Sequence, residues 1–464
     1  MKKLLTVSVL ILPLLLAGCT LHPKYQRPSL DVPGVYRGSA AEENRAASFG
    51  DEKWWEVFQD PELQGLIRTA LHQNYDVRIA ASRIVQAQAQ LGVTRSDQFP
   101  SVYGQAGAAV LGSPKNKLQP AYQINAEQLG VSVNWVLDFW GQYRSATEAA
   151  RAQLIATEYG RRAVISTLLA NVASGYFRLR ELDLELEISK NTLASRKESL
   201  QLISMKAEHG ASSLLDVRQA EQLVYTASSQ IPNFEMQIEQ QENYLSILLG
   251  RYPGPIPRGQ TLTEQAHPPQ IPAGIPSAVL QRRPDVVQAE QALIAQNALI
   301  GVARAQYFPQ ISLTGSGGSQ SAALGGLFGG SSGVWNFAAD LAQPIFTGGR
   351  IRSNVKLVEA QKQQAVLVYQ QTVQESFREV SDALIGYQKT RQYREQVQLL
   401  TDSAADAARL SDMRYSRGAT SYLEVLTNET NYFSAELSLA QVRFGELQAM
   451  VQLYTALGGG WQEQ

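Results

Sequence analysis

The chain has 464 residues, 44% of them hydrophobic, with 41 basic against 42 acidic side chains, four histidines and one cysteine. The length leaves room for a large core, and the near-neutral balance argues against a nucleic-acid partner, which calls for a basic excess or stripe. One cysteine makes neither an internal disulfide nor a thiolate zinc cage, and His22, His72, His209 and His267 are too scattered to suggest a histidine-rich metal site.

At the N-terminus, Lys2 and Lys3 precede an almost wholly apolar run, Leu4 to Leu16, and then Leu16-Ala17-Gly18-Cys19. That run is too short to span a bilayer as a helix and ends in small residues, so residues 1–18 read as a secretory signal. A generic signal peptide is one reading. Cysteine set directly after Leu-Ala-Gly is similar to the bacterial lipoprotein box, in which that cysteine carries lipid and becomes the first mature residue. Residue 20 is Thr rather than the aspartate that retains such lipoproteins in the inner membrane, so the resemblance implies the outer membrane. Nowhere else is the chain apolar for 18 residues, so no further helix is expected to span a membrane.

The remainder repeats itself at an offset of about 208 residues. Leu91-Gly92-Val93 through Phe99-Pro100 aligns with Ile300-Gly301-Val302 through Phe308-Pro309, and Asp76-Val77 aligns with Asp285-Val286. Gly210-Ala211-Ser212-Ser213-Leu214-Leu215-Asp216-Val217 aligns with Gly418-Ala419-Thr420-Ser421-Tyr422-Leu423-Glu424-Val425. We read a first repeat over 19–250, a linker over 251–276 whose prolines forbid regular helix, and a second repeat over 277–464. Each repeat predicts a helix, two strand-like segments, a very long helix, a tight turn and a second long helix.

Within the first repeat, Val131, Val133, Trp135, Leu137 and Phe139 alternate with Ser132, Asn134, Val136 and Asp138, the period-two signature of a strand. Weaker, glycine-bearing segments near 100–111 and 309–318 are their partners, and 112–129 and 318–333 read as loops. Heptads follow in Ile165, Val172, Leu179, Leu186, Leu193 and Leu200, then Val217, Val224, Ile231, Ile238 and Leu245, predicting coiled-coil packing. A helix from about Gly141 to Glu208 would be roughly 100 Å long. Pro232 predicts a kink in the returning helix. In the second repeat, Trp335, Phe337, Ala339 and Leu341 alternate with Asn336, Ala338, Asp340 and Ala342, and heptads resume at Val373, Val380, Leu384 and Tyr387 and from Phe433 to Tyr454. The fold class is therefore α+β, mainly α. Four amphipathic strands cannot close a barrel, and open edges are forbidden in lipid, so the chain must oligomerise. Two copies would give 8 strands and three would give 12.

Several motifs together resemble one family. They are the lipoprotein box, Asp51-Glu52-Lys53-Trp54-Trp55 with Phe58 and Asp60-Pro61-Glu62-Leu63, Leu137-Asp138-Phe139-Trp140-Gly141, Gln281-Arg282-Arg283-Pro284-Asp285 with Ala289-Glu290, Gly301-Val302-Ala303-Arg304-Ala305 with Phe308-Pro309, and Pro344-Ile345-Phe346-Thr347-Gly348-Gly349-Arg350. In this order the chain resembles the TolC-like outer membrane factor family, in its lipoprotein efflux (NodT-type) branch. The resemblance implies a homotrimer whose chains share one 12-stranded barrel in the outer membrane, continued by a periplasmic tunnel of coiled-coil helices. It further implies a periplasmic adaptor (membrane fusion) protein, an inner-membrane pump of the resistance-nodulation-division (RND) type, and passive export of drugs or other toxic compounds. No catalytic residue, nucleotide site, metal or soluble cofactor is expected, only the lipid on Cys19: a diacylglycerol thioether and an N-acyl chain such as palmitate.

By that resemblance the reversals at His209, Gly210, Ala211 and Ser212 and at Arg417, Gly418, Ala419 and Thr420 are tips that meet the adaptor. Read simply as punctuation, they are glycine C-caps followed by Ser or Thr N-caps. The resemblance places Glu424, and at the equivalent position Asp216, at an acidic gate; the capping box explains both as well, an acid three residues after serine. Trp135, Phe139, Trp140, Trp335, Phe337 and Phe346 read either as interfacial girdles or as packing between strands and helices. Gly329-Gly330-Ser331-Ser332-Gly333 matches the form of a hydrolase elbow, but no histidine follows residue 267. Two other readings stay open: the exit duct of a type I protein secretion system, and a pore-free periplasmic coiled-coil lipoprotein.

Overall fold

A computed structural model describes residues 21–37, 48–115, 120–265, 272, 274 and 276–462. The signal segment and Cys19 lie outside these residues. Among the described residues the elements are α1 (Trp54–Val57), α2 (Pro61–Gln73), α3 (Tyr75–Ser96), β1 (Ser101–Ser113), β2 (Tyr122–Leu137), α4 (Gln142–Glu208), α5 (Leu214–Leu248), α6 (Pro276–Arg282), α7 (Pro284–Ala305), β3 (Gln310–Ser321), β4 (Gly333–Ala342), α8 (Arg350–Ser416) and α9 (Tyr422–Ala456). The repeat is reproduced element by element. α3 and α7 are 22 residues each, α4 and α8 are 67, and α5 and α9 are 35. At 1.5 Å per residue, α4 and α8 are each about 100 Å long. Pro232 does not end α5, which runs through it as one helix.

Two compact units divide the chain, and each draws on both repeats. The first holds Arg83–Thr157, Gln288–Tyr369 and the arm up to Ser29. Its centre is an antiparallel sheet in the order β1-β2-β3-β4, so β1 and β4 each have a single neighbour. Register sorts the side chains onto two faces. Val102, Val131 and Val133, Trp135 with Leu313, and Leu137 with Ile311 and Leu341 share one face with Phe337 and Trp335. Tyr103, Ser132, Asn134, Ser312, Thr314, Ser316, Asn336 and Asp340 occupy the other. The apolar face from Leu129 to Leu137 runs about 27 Å along the strand, the height of a lipid-facing band. Trp335 and Phe337 stand directly across from Gly317 and Gly315, where the absence of a side chain on β3 leaves room for the rings.

The loop expected over 112–129 is largely strand, whereas of 318–333 only the ends, 318–321 and Gly333, are strand and the stretch between them is loop as expected. Ser113 pairs with Tyr122, and Glu127 pairs with Ser321. The alternation inverts there: Gln123, Asn125 and Glu127 continue the apolar face, while Tyr122, Ile124 and Ala126 continue the polar one. This suits a sheet that extends beyond lipid into water, and it erased the pattern that marks the lower part of β2. Where strands give way to helices, Asp138 accepts from the backbone N–H groups of Tyr143 (3.1 Å) and Arg144 (2.8 Å), capping α4. Trp140 donates to the Pro309 carbonyl (2.7 Å) and stacks on Phe308 with ring centroids 4.7 Å apart, so this tryptophan is a packing residue. Trp335 is 84% exposed, and Phe337 and Phe346 are exposed with it. The arm docks onto α7, where Arg27 Nε (2.7 Å) and Tyr25 (3.0 Å) both donate to Glu290.

The second unit holds Leu30–Ser82, Glu158–Val287 and the chain from Gln370. Its core is the heptad set, with Ile165, Val172, Leu179, Ile238, Leu245, Val380, Leu384, Leu447 and Tyr454 all buried around Trp54, Phe58 and Leu63. The linker is docked: buried Asp60 accepts from Tyr176 (2.8 Å), the Gln260 N–H (3.0 Å) and Gln265 (2.9 Å).

Candidate functional site

The two helix reversals share a backbone solution. At the first, the Ala211 N–H donates to the Lys206 carbonyl (2.8 Å) and the Gly210 N–H to Ala207 (3.0 Å), a Schellman closure with Gly210 at φ 75°. At the second, Ala419 donates to Arg414 and Gly418 to Tyr415, both at 2.9 Å, with Gly418 at φ 74°. A left-handed residue at this position favours glycine because any Cβ would crowd the following carbonyl. His209 is exposed, and its Nδ1 donates to the Met205 carbonyl at 2.7 Å. Arg417 is exposed as well.

Their acids are used differently. Asp216 completes a capping box: it accepts from the Ser213 N–H (3.0 Å), while Ser213 Oγ accepts from the Asp216 N–H (3.2 Å). Ser212 Oγ adds a third bond at 2.8 Å. Burial raises the carboxyl's pKa, but the Ser213 and Ser212 hydrogen bonds outweigh it and hold the group below the usual aspartate range. Glu424 forms no such box, and Ser421 caps nothing with its side chain. Its carboxylate instead meets Arg414 Nη1 at 3.3 Å and accepts from the Thr420 hydroxyl. The capping geometry is present at Asp216 and absent at Glu424, whose carboxylate is taken instead by Arg414 of α8 and by Thr420.

Tyr415 joins the two turns. Its hydroxyl lies 3.4 Å from Ser212 Oγ, Lys206 Nζ sits 4.9 Å over its ring, and its centroid is 5.2 Å from that of Tyr422. One step further from the turns, Arg196 of α4 is sealed inside the helices with its side chain 2% exposed. It donates to the Leu223 carbonyl of α5 (2.9 Å), lies over Phe433 of α9 (4.9 Å), and pairs with Glu429 of α9 (3.8 Å). Burial lowers the Arg196 pKa and raises that of Glu429, the latter with a push from Asp412; for both, burial outweighs their mutual attraction. Sequence reasoning passed over Tyr415 and Arg196. A signal for Arg196 was present, because it falls between Leu193 and Leu200 on the heptad face where an aliphatic residue is expected.

An amphipathic sheet with two open edges, joined to paired hairpins of 67- and 35-residue helices, defines the subunit of a membrane channel that is completed by further chains. The sequence family described as "Outer membrane efflux protein" matches residues 66–251 and 275–459. Over 452 residues the chain is 35% identical to the cation efflux system protein CusC of Escherichia coli, with 97% of each chain covered. It is 37% identical over 458 residues to the toluene efflux pump outer membrane protein TtgI of Pseudomonas putida, again covering 97% of each. The crystal structure of the open state of the Neisseria gonorrhoeae MtrE outer membrane channel superposes with a TM-score of 0.88 at 30% identity, covering 96% of this chain and 99% of that one. The chain belongs to the outer membrane efflux protein family. It is an efflux channel of the bacterial outer membrane, and its role is transport.

Proposed function

We propose that three copies form the channel, which passively conducts drugs and other toxic small molecules delivered by an inner-membrane RND-type pump through a periplasmic adaptor. The observation that carries this is the sheet: four strands with one apolar face and unpaired edges at β1 and β4. Lipid offers nothing to those edges, so β4 of one copy must pair with β1 of the next, and three copies give a ring wide enough to conduct. Relatives of nearly equal identity are named for cation efflux and for toluene efflux. A duct whose close relatives carry such unlike cargo is selected mainly by what its pump delivers. We assign the turns at 209–212 and 417–420 to adaptor contact, Glu424 to an acidic ring at the entrance, and Cys19 to the lipid anchor that adds membrane affinity beyond the barrel.

Cysteines introduced into β1 and β4 of the chain test the assembly. Oxidation should give a covalent trimer on denaturing gels, whereas dimers alone would overturn the three-chain reading. Mass analysis of the N-terminal peptide should show acylated Cys19, and Cys19→Ala should abolish it.

A further inference from the structure

The strands are almost without charge. Among all Asp, Glu, Lys and Arg residues, only Glu127 and Asp340 fall within β1 to β4. Register places them on opposite faces. Glu127 stands across from Ala108 and Ser321, beyond the apolar band. Asp340 stands across from Ser312, which faces Val136, on the polar face that carries Asn134, Thr314 and Asn336. It is exposed, and its neighbours along β4 on that face are Ala338 and Ala342. In a membrane the apolar face must meet lipid, so the polar face lines the lumen. The wall of the barrel therefore carries one fixed charge per chain, and no basic residue of the sheet offsets it. Asp340 lies two residues from the end of β4, near the mouth where strands pass into helices.

We infer that Asp340 is a selectivity residue of the barrel, forming with its two symmetry mates an acidic ring that favours cations, separate from Glu424. This rests on the three-chain channel proposed above. Three unit charges about 10 Å from the axis, screened over a Debye length of similar size, enrich cations over anions there by about five-fold. A charge on a water-lined wall acts on mobile ions without binding them, so it biases permeation without stopping it.

The test is the reversal potential of the full chain reconstituted in planar bilayers under a KCl gradient, in a Glu424→Gln background so that the entrance does not mask the barrel. Asp340→Asn should lower the potassium-to-chloride permeability ratio about five-fold, and Asp340→Lys should move it further toward anions. An unchanged ratio in both variants, with channels still opening, would overturn the proposal while sparing the channel. Absence of any conductance from the unsubstituted chain would overturn the three-chain channel and the acidic ring together.

Discussion

The two hairpin turns come from one duplicated unit, and their backbones still coincide, yet their acids have parted. Asp216 is tied to its own helix start by three hydrogen bonds, accepting from the Ser212 hydroxyl and the Ser213 N–H and donating its own N–H to Ser213 Oγ. Glu424, six residues after the equivalent glycine, leaves its cap unmade and reaches Arg414 and Thr420. A helix start needs only one acid at its third position to satisfy the free N–H of the N-cap. At Glu424 the competing groups, the Arg414 guanidinium and the Thr420 hydroxyl, hold the acid away from that N–H. The repeat thus holds one turn whose acid closes its own helix start and one whose acid is held by the Arg414 and Thr420 side chains.

Near the turns the buried Arg196 links the two hairpins through Leu223 and Glu429, and removing it should have the largest effect. Arg196→Met strands the Glu429 carboxylate in the helix core, so unfolding by urea should show a loss of about 3–5 kcal/mol. Adding Glu429→Leu should restore most of it, because an apolar pair of similar volume avoids the cost of burying both charges. If the double variant stays as unstable as the single one, the pair is a net stabiliser and the two hairpins are joined more tightly than burial alone allows.

The pH response sets a second contrast between acids. Glu181 of α4 has a side chain with no exposure and lies 2.5 Å from Arg178; burial dominates and lifts its pKa to about 7. Its folded value lies above the unfolded 4.5, so the protonated form is favoured by folding. That stability is complete below pH 4.5, declines as pH rises to about 7, and stays lost above. Glu181→Gln should therefore raise stability by about 3 kcal/mol at pH 8 and change little at pH 4.5. Asp216 behaves in reverse: its pKa is depressed, so its contribution is present above the unfolded value and fades as acid titrates the folded group. Thermal midpoints across pH, followed by helical circular dichroism, should separate the two.

Much of this was legible in the sequence because helices and repeats announce themselves by period. The glycine turns at 210 and 418, the 67-residue helices and the lower half of β2 all followed from spacing. The upper half of β2 was lost because its apolar residues change faces once the strand leaves lipid, and periodicity reads only a constant face. Spacing left Glu424 open between gate and cap because its partner, Arg414, lies across a turn whose geometry no local pattern encodes. Tyr415 offered no anomaly at all: a tyrosine near a helix end is ordinary until Ser212 and Lys206 are seen against it.

The smallest stability effects come from the turns themselves, and they decide what each acid is for. Asp216→Ala removes a cap and should cost about 1 kcal/mol. Glu424→Gln removes a half-exposed ion pair and should cost at most about 0.5 kcal/mol. Function should rank them in the opposite order. The Glu424 carboxylate is held by the Arg414 and Thr420 side chains rather than by the backbone of its own helix start, so in the entrance ring proposed above its charge is what permeating ions would meet. Glu424→Gln should lower cation preference in bilayers, and Glu424→Lys should hinder export, while Asp216→Asn leaves the permeability ratio in place. Equal ratios for the Glu424 variants and the unsubstituted channel would leave Glu424 with its Arg414 and Thr420 contacts and no part in permeation, and the divergence between the two turns would be one of packing alone.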